Sequence, residues 1–104
     1  MFGLVVHFEL RAGLADAFDA LVAETLESIR VSEPGTLIYA VHGSADAEHL
    51  RVFYELYRDR AAFDEHERQG HTARFLAERE QFLAAPPRVE FVTLLSGVGV
   101  AGGS

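Results

Sequence analysis

The sequence predicts an α+β domain of the ferredoxin-like class, a split βαβ arrangement in which an antiparallel sheet carries helices on one face. Two observations support this prediction. Segments typical of strands and helices follow one another in the order strand, helix, strand, strand, helix, strand. The chain has 104 residues, 49% of them hydrophobic and 24% charged, which is typical of one globular domain. We expect a single domain over residues 1–95 and a frayed, glycine-rich tail over residues 96–104.

The first half of the chain contains a strand, a helix and a second strand. Residues 2–10 are rich in β-branched and aromatic side chains and end at a turn over residues 11–13. From Leu14 the apolar residues recur at spacings of three and four, which predicts an amphipathic helix. The helix is expected to end at the Glu-Pro-Gly sequence of residues 33–35, because proline disfavours helical backbone in the residue before it. Residues 36–42 form the second predicted strand.

The second half adds a partner strand, a broken helix and a last strand. Residues 50–58 follow the second strand after a short polar connection, which is typical of an antiparallel hairpin. Asp59 is expected to cap a helix that Gly70 interrupts. A second helical piece is expected to reach Leu83, shortly before two prolines. The last predicted strand covers residues 88–95.

The strands carry apolar residues on both of their faces. Leu4, Val6 and Phe8 alternate with Val5 in the first strand, and the third strand shows the same double pattern. A sheet covered on one side only should alternate apolar with polar residues, and the chain offers no further element to cover the second side. We therefore predict a homodimer in which two copies pack sheet against sheet as a dimeric α+β barrel.

Charge and cysteine content exclude several classes of function. The formal net charge of −7 has the wrong sign for neutralising nucleic-acid phosphates, so no nucleic-acid partner is expected. The absence of cysteine excludes disulfides, thiolate metal sites and cysteine nucleophiles. Residues 2–10 lack the basic start and the long apolar stretch of a signal peptide or membrane span. We expect no membrane partner and a cytoplasmic location.

His66 and His71 are the most informative of the five histidines. On one continuous helix, five residues would place them about 140° apart. A helix break at Gly70 would let them converge on a space between the helices and the sheet, where histidine is suited to exchange protons near neutrality. The alternative is that His71 only opens the second helical piece and His66 packs beside Phe63. The other three histidines are interpreted as structural or solvated residues.

Glu55 is the one carboxylate of the apolar third strand, and it shares a face with Tyr57. A carboxylate in that position must be paired, solvated or raised in pKa by desolvation. Arg51 lies two residues away on the same face, and a structural pairing with it is the alternative to a catalytic role. The hydroxyls of Tyr54 and Tyr57 are available to donate hydrogen bonds to a ligand oxygen.

No motif predicts a cofactor or a metal. His66 and His71 lack the i, i+4 spacing of a helical zinc site, and no carboxylate triad accompanies them in the sequence. No GxGxxG sequence follows a strand to open a helix, and the GxSxG and phosphate-binding loop patterns are absent.

The order and spacing of several short motifs resemble the antibiotic biosynthesis monooxygenase family, which includes quinol monooxygenases. The resemblance covers nearly all of residues 3–95. Many members carry Trp where this chain has Tyr57. The haem-degrading branch has Asn, Trp and His where this chain has His7, His66 and Leu76, so the resemblance does not extend to haem binding. The resemblance is carried by Arg30, Glu33-Pro34-Gly35, Tyr39, Tyr54-Glu55, Tyr57, Arg58-Asp59, Ala62-Phe63, His66, His71 and Phe75.

The resemblance implies a dimer that oxygenates an electron-rich aromatic, a hydroquinone or polycyclic phenol, with O₂ and without metal or flavin. In such a reaction a base removes a phenol proton, because the anion gives an electron to O₂ far more readily than the neutral phenol does. His66 is then the expected base and His71 its partner or proton relay. Tyr57 is expected to donate a hydrogen bond, and Glu55 to orient these groups or serve structure. Two alternatives stay open: an isomerase or decomposing enzyme acting on a small enolisable ketone, and a non-catalytic small-molecule-binding dimer.

Overall fold

The computed structural model describes residues 1–100 and confirms the predicted ferredoxin-like α+β fold. Three helices, α1 (Ala15–Ser32), α2 (Arg60–Glu67) and α3 (Gly70–Glu78), pack on one face of the sheet. Residues 101–104 of the predicted tail lie outside the described part of the chain. The sheet is antiparallel with the order β2-β3-β1-β4, and its strands are β1 (Phe2–Glu9), β2 (Thr36–Gly43), β3 (Leu50–Tyr57) and β4 (Arg88–Thr93).

None of the helices within residues 1–100 has both the length and the apolar character needed to cross a membrane.

The two faces of the sheet differ in what covers them. Leu4, Val6 and Phe8 of β1 are buried in the core with Phe53 of β3, beneath the helices. The outer face is formed by the alternate residues of each strand, and no helix of the described chain packs on it. Most of its apolar side chains are half-buried, and Leu56 is fully buried. The half-buried ones paired across the strands are Val5, Ile38, Ala40, Val52, Tyr54 and Val92. The homodimer through this outer face stays a prediction.

The predicted helix start and helix break are both present. Asp59 caps α2, and its Oδ1 accepts a hydrogen bond from the Ala62 N–H at 2.8 Å. The helical run ends at Glu67 and resumes at Gly70, so only two residues separate α2 from α3. The helix is therefore interrupted between His66 and His71, as Gly70 predicted.

The predicted continuation of the second helical piece to Leu83 is wrong. The α3 helix ends at Glu78 and is followed by a 3₁₀ turn over Arg79–Phe82. This segment is tied to the end of β1, because the Arg11 N–H donates to the Phe82 carbonyl and the Ala84 N–H donates to the Glu9 carbonyl, both at 2.8 Å. These long-range bonds favour a tighter turn over further α-helix.

Gly35 allows β2 to begin close to α2. A Cβ atom at this position would lie 2.7 Å from the Cβ of Ala62, which is closer than side-chain carbons pack. The Gly35 carbonyl also accepts a hydrogen bond from the Arg58 N–H at 2.9 Å. The missing side chain therefore brings the end of α1 and the start of β2 within reach of the residues on α2.

Candidate active site

A cavity of about 250 Å³ lies between the helices and the sheet. Small-molecule sites usually have volumes of about 300–1,000 Å³, so this one suits a ligand of one or two rings. Val89 and Phe91 of β4 line the cavity and are 47% and 59% exposed, which places the mouth along β4. The polar groups of the wall are contributed by Thr25, Tyr39, Glu55, His66, Glu67, Thr72 and Arg79, and the apolar wall by Leu4, Val6, Phe8, Phe63, Phe75, Leu76, Val89 and Phe91.

The structure brings His66 and His71 together on a third residue, Glu33. The Nδ1 atom of His66 lies 2.8 Å from one carboxylate oxygen of Glu33, and Nε2 of His71 bonds the other oxygen. The hydroxyl of Thr36 donates to the first oxygen at 2.7 Å. Glu33 follows the end of α1, so the connection between α1 and β2 supplies the group that joins α2 to α3.

The carboxylate of Glu33 is held in its charged form. Burial would raise its pKa, but the hydrogen bonds from His66, Thr36 and His71 outweigh burial, and the pKa of Glu33 is lowered. The side chain is only 2% exposed. The buried negative charge accepts a hydrogen bond from each of the two imidazoles.

His66 is oriented as a base toward the cavity. With Glu33 ionised, Nδ1 of His66 carries the hydrogen and donates it, which leaves the lone pair of the neutral ring on Nε2. No hydrogen bond within residues 1–100 engages Nε2, and His66 lines the cavity. The ring lies 5.7 Å from the Tyr39 ring and 5.3 Å from the Tyr57 ring, which fixes its position.

Glu55 also lines the cavity, but its partner is Tyr57 and not Arg51. The Tyr57 hydroxyl donates to Oε1 of Glu55 at 2.6 Å. Arg51 instead donates two bonds of 2.9 Å to the Asp19 carboxylate, so the Arg51 pairing that the sequence left open for Glu55 does not form. Burial raises the pKa of Glu55, and the bond from Tyr57 only partly offsets this.

Tyr57 is fully buried, and its hydroxyl is committed to Glu55 rather than to a ligand. Tyr54 lies on the outer face of the sheet, opposite Val5. The phenol that does line the cavity is Tyr39. Burial, followed by the nearby Glu55 charge, raises the pKa of Tyr39 well above its usual range, so this hydroxyl stays protonated and able to donate. Sequence analysis gave Tyr39 no role.

The sequence interpretation also missed Glu33 and Arg79. The sequence marks Glu33 as the end of a helix and as part of the Glu-Pro-Gly motif of the resemblance, and neither pattern assigns it a role in the site. Arg79 lies in the 3₁₀ turn that was predicted to be helical, and it contributes the cavity's guanidinium.

Glu33, His66 and His71 offer one ligand atom each, all within 4.8 Å of one another. Two histidines and one carboxylate form a donor set that binds divalent metals in other proteins. In this cluster both carboxylate oxygens already accept hydrogen bonds from the histidines. That no metal takes part stays a prediction.

A larger groove of about 660 Å³ lies between α1 and the β2–β3 connection. Its arginine, Arg51, is paired with Asp19 and also donates to the Glu48 carbonyl at 2.7 Å. The groove is lined by no histidine. The smaller cavity next to His66 is therefore the candidate site.

Residues 1–78 match the family model described as antibiotic biosynthesis monooxygenase. Among solved structures, Rv0793 from Mycobacterium tuberculosis is 28% identical with a TM-score of 0.84, over 93% of this chain and 97% of that chain. PA3566 from Pseudomonas aeruginosa is 25% identical with a TM-score of 0.81, over 91% and 94%. An antibiotic biosynthesis monooxygenase structure at 23% identity and a TM-score of 0.83, over 92% and 100%, shares the fold. No curated protein matches the chain.

Proposed function

The chain belongs to the antibiotic biosynthesis monooxygenase family, and we propose that it oxygenates a hydroquinone or related electron-rich phenol with O₂, using His66 as the base. The observation that carries the proposal is the state of His66. Its Nδ1 is bonded to the charged Glu33, and its Nε2 is the free ring nitrogen beside an apolar cavity. This arrangement favours a proton acceptor at the place where an aromatic ring would bind.

The reaction balances with O₂ as the only oxidant. Nε2 of His66 takes the phenol proton, and the resulting anion transfers one electron to O₂. The two radicals combine to a carbon-bound peroxide, which is protonated, loses water and leaves a ring carbonyl. A hydroquinone and O₂ thus give a hydroxyquinone and water. The protonated Tyr39 would donate a hydrogen bond to the developing oxyanion.

The His66–Glu33–His71 cluster would carry the proton away from the cavity. The side chain of His66 is 7% exposed and that of His71 is 16% exposed. Glu33 joins them through one hydrogen bond to each ring. His71 is then the relay toward solvent, and Glu33 and His71 are positioning residues rather than groups that touch substrate.

Oxygen-electrode assays with hydroquinones, naphthols and anthrones, in the presence of a metal chelator, test this proposal. We expect His66→Ala to lower O₂ uptake by about 10²–10⁴-fold. His49→Ala, a change of an exposed histidine in the β2–β3 connection, should keep the wild-type rate. Wild-type turnover by His66→Ala contradicts the assignment of the base. Uptake abolished by the chelator and restored by a divalent metal contradicts the metal-free reaction.

Absence of O₂ uptake with every aromatic would overturn the oxygenase proposal. Proton exchange on an enolisable ketone without O₂ uptake would then favour the isomerase alternative. Ligand binding that shifts the thermal transition, with no turnover of either kind, would favour a binding dimer.

We also propose that two copies associate through the outer face of the sheet. The half-buried apolar side chains on that face, including Val52 and Tyr54, favour burial against a second sheet. Light scattering should give the mass of a dimer at micromolar concentration. Val52→Asp should shift the chain to monomer, whereas Val31→Asp, at a site 69% exposed on α1, should not. A monomeric wild type would contradict the proposal.

A further inference from the structure

Arg79 is a cation of the cavity wall that the proposed reaction leaves unused. It begins the 3₁₀ turn after α3 and lines the cavity together with Tyr39, Glu55 and His66. Its Nε atom is buried and has no hydrogen-bond partner within residues 1–100. None of the ion pairs among these residues includes Arg79. Arg79 as a whole is half-buried. Leaving its buried Nε–H without a partner costs free energy, so a ligand that accepts a hydrogen bond from it would bind more tightly.

Several other arginines of the described chain have carboxylate partners. Arg74, five residues earlier on α3, lies 2.6 Å from Glu24, and Arg51 lies 2.9 Å from Asp19. Arg79 instead stacks on aromatic rings, with its guanidinium carbon 5.5 Å from the Phe8 centroid and 5.8 Å from the Phe75 centroid. Stacking holds the plane of the guanidinium and leaves its N–H edge available for a planar acceptor.

The backbone that carries Arg79 is fixed. The Arg11 N–H donates to the Phe82 carbonyl at 2.8 Å, and the Arg11 side chain donates to the Leu83 carbonyl at 2.9 Å. These bonds anchor the 3₁₀ turn to the end of β1. The guanidinium is therefore preorganised, and little conformational entropy is lost when a ligand binds it.

We propose that Arg79 is a specificity-determining residue, which binds an anionic oxygen carried by the aromatic ligand, either a carboxylate or a phenolate. The aromatic character of this ligand rests on the proposed function. A forked guanidinium donates two parallel hydrogen bonds to such a group. Two carboxyl groups, those of Glu55 and Glu67, also line the cavity, but neither forms an ion pair with Arg79. Glu55 is bonded by Tyr57, and its burial favours the uncharged acid, while Glu67 is exposed at the rim.

Titration calorimetry at neutral pH with 1-hydroxy-2-naphthoate and its methyl ester tests the carboxylate form of the proposal. We expect the acid to bind wild type at least about tenfold more tightly than the ester, which corresponds to about 1.4 kcal/mol. Arg79→Gln should abolish this preference, and Arg79→Lys should keep only part of it. Arg74→Gln, which changes an exposed arginine on the same helix, should keep all of it.

Titration of 2-naphthol, buffered below and above the pKa of its hydroxyl, tests the phenolate form. Tighter binding of the ionised naphthol that depends on Arg79 assigns the site to phenolates, and an acid-over-ester preference assigns it to carboxylates. If wild type shows neither preference, or if Arg79→Gln keeps the preference, the proposal is wrong. The comparison of ligands on wild type needs no variant. It can therefore contradict the proposal even if Arg79→Gln does not fold.

Binding and O₂ uptake are separate measurements, so the two proposals fail separately. An Arg79-dependent preference without O₂ uptake would leave the anion site standing and overturn the oxygenase proposal. O₂ uptake without any preference for anionic ligands would overturn the anion site and leave the oxygenase proposal standing.

Discussion

Glu33 and Glu55 are both buried, with 6% and 4% of their surfaces exposed, yet their acidities move in opposite directions. Glu33 accepts hydrogen bonds from His66, His71 and Thr36, and its pKa is lowered. Glu55 accepts one from Tyr57, and its pKa is raised. At Glu33 the hydrogen bonds outweigh the effect of burial, whereas at Glu55 burial outweighs the bond from Tyr57, so the balance of the two decides which carboxyl group holds its charge.

The difference gives the two glutamates different tasks beside one histidine. The charged Glu33 fixes the hydrogen of His66 on Nδ1. Glu55, whose burial favours the protonated acid, is suited to donate a hydrogen bond into the cavity or to accept a proton late in turnover. The site therefore holds one permanent anion and one titratable acid.

Glu33→Gln should give the largest effect on stability. An amide offers one acceptor oxygen where Glu33 offers two, so a buried donor loses its partner, and we expect a cost of about 2 kcal/mol at neutral pH. The folded pKa lies below the unfolded value of about 4.3, so the charged group stabilises the fold above that value. The contribution is lost as the pH falls through the lowered pKa.

Thermal melts of wild type and Glu33→Gln from neutral to acidic pH check this expectation. The gap in Tm should be widest near neutrality and should close in acid. Glu24→Gln on the exposed side of α1 serves as the control and should follow wild type. A gap that stays constant across the whole range would show that charge is not the reason for the cost.

Glu55→Gln should have a smaller effect with the opposite sign. When folding raises the pKa of a carboxyl group, the protein loses stability as the pH rises from the unfolded pKa of the group to its folded pKa. Above the folded pKa the loss stays constant. Glutamine keeps an acceptor for the Tyr57 hydroxyl and removes the charge, so we expect a gain of about 1 kcal/mol near neutrality and none in acid. Chemical denaturation at several pH values measures it, and a destabilised variant near neutrality would contradict the raised pKa.

Tyr57→Phe should give an effect of similar size to Glu55→Gln, and it tests the role of the hydrogen-bond donor to Glu55. The bond from Tyr57 lowers the pKa of Glu55, so its removal should raise that pKa further and shift the pH dependence of stability to higher pH. We expect a cost of about 1 kcal/mol in addition. Tyr54→Phe, which removes a hydroxyl on the outer face of the sheet, is the matched control. Denaturation is followed at a concentration at which the protein is monomeric. An unshifted pH dependence would mean that Tyr57 does not control Glu55.

Local signals predicted most of the fold. The apolar patterns located the four strands and α1, Asp59 marked the start of α2, and Gly70 marked the break that lets His66 and His71 meet. The error at the end of α3 has a physical reason. The 3₁₀ turn is stabilised by hydrogen bonds to β1, about seventy residues earlier in the chain, and no local pattern carries that information.

Less of the site could be predicted, because its contacts join distant segments. Glu33 meets His66 and His71 across 33 and 38 residues, and Arg51 meets Asp19 across 32. Sequence proximity favoured an Arg51 pairing within β3, and it favoured Tyr57 over Tyr39 as the donor. In both cases the choice depended on which side chain the tertiary packing left free.

The site is also sensitive to the size of the side chain at position 35, which is glycine and lies outside the cavity. Ala62 and His66 are one helical turn apart, so any crowding of Ala62 by a new methyl group would push the same side of α2 outward. An outward shift of α2 by about 1 Å would lengthen the 2.8 Å bond between His66 and Glu33 past hydrogen-bonding distance. The backbone spacing at Gly35, outside the cavity, thus sets the hydrogen bond that orients the imidazole of His66.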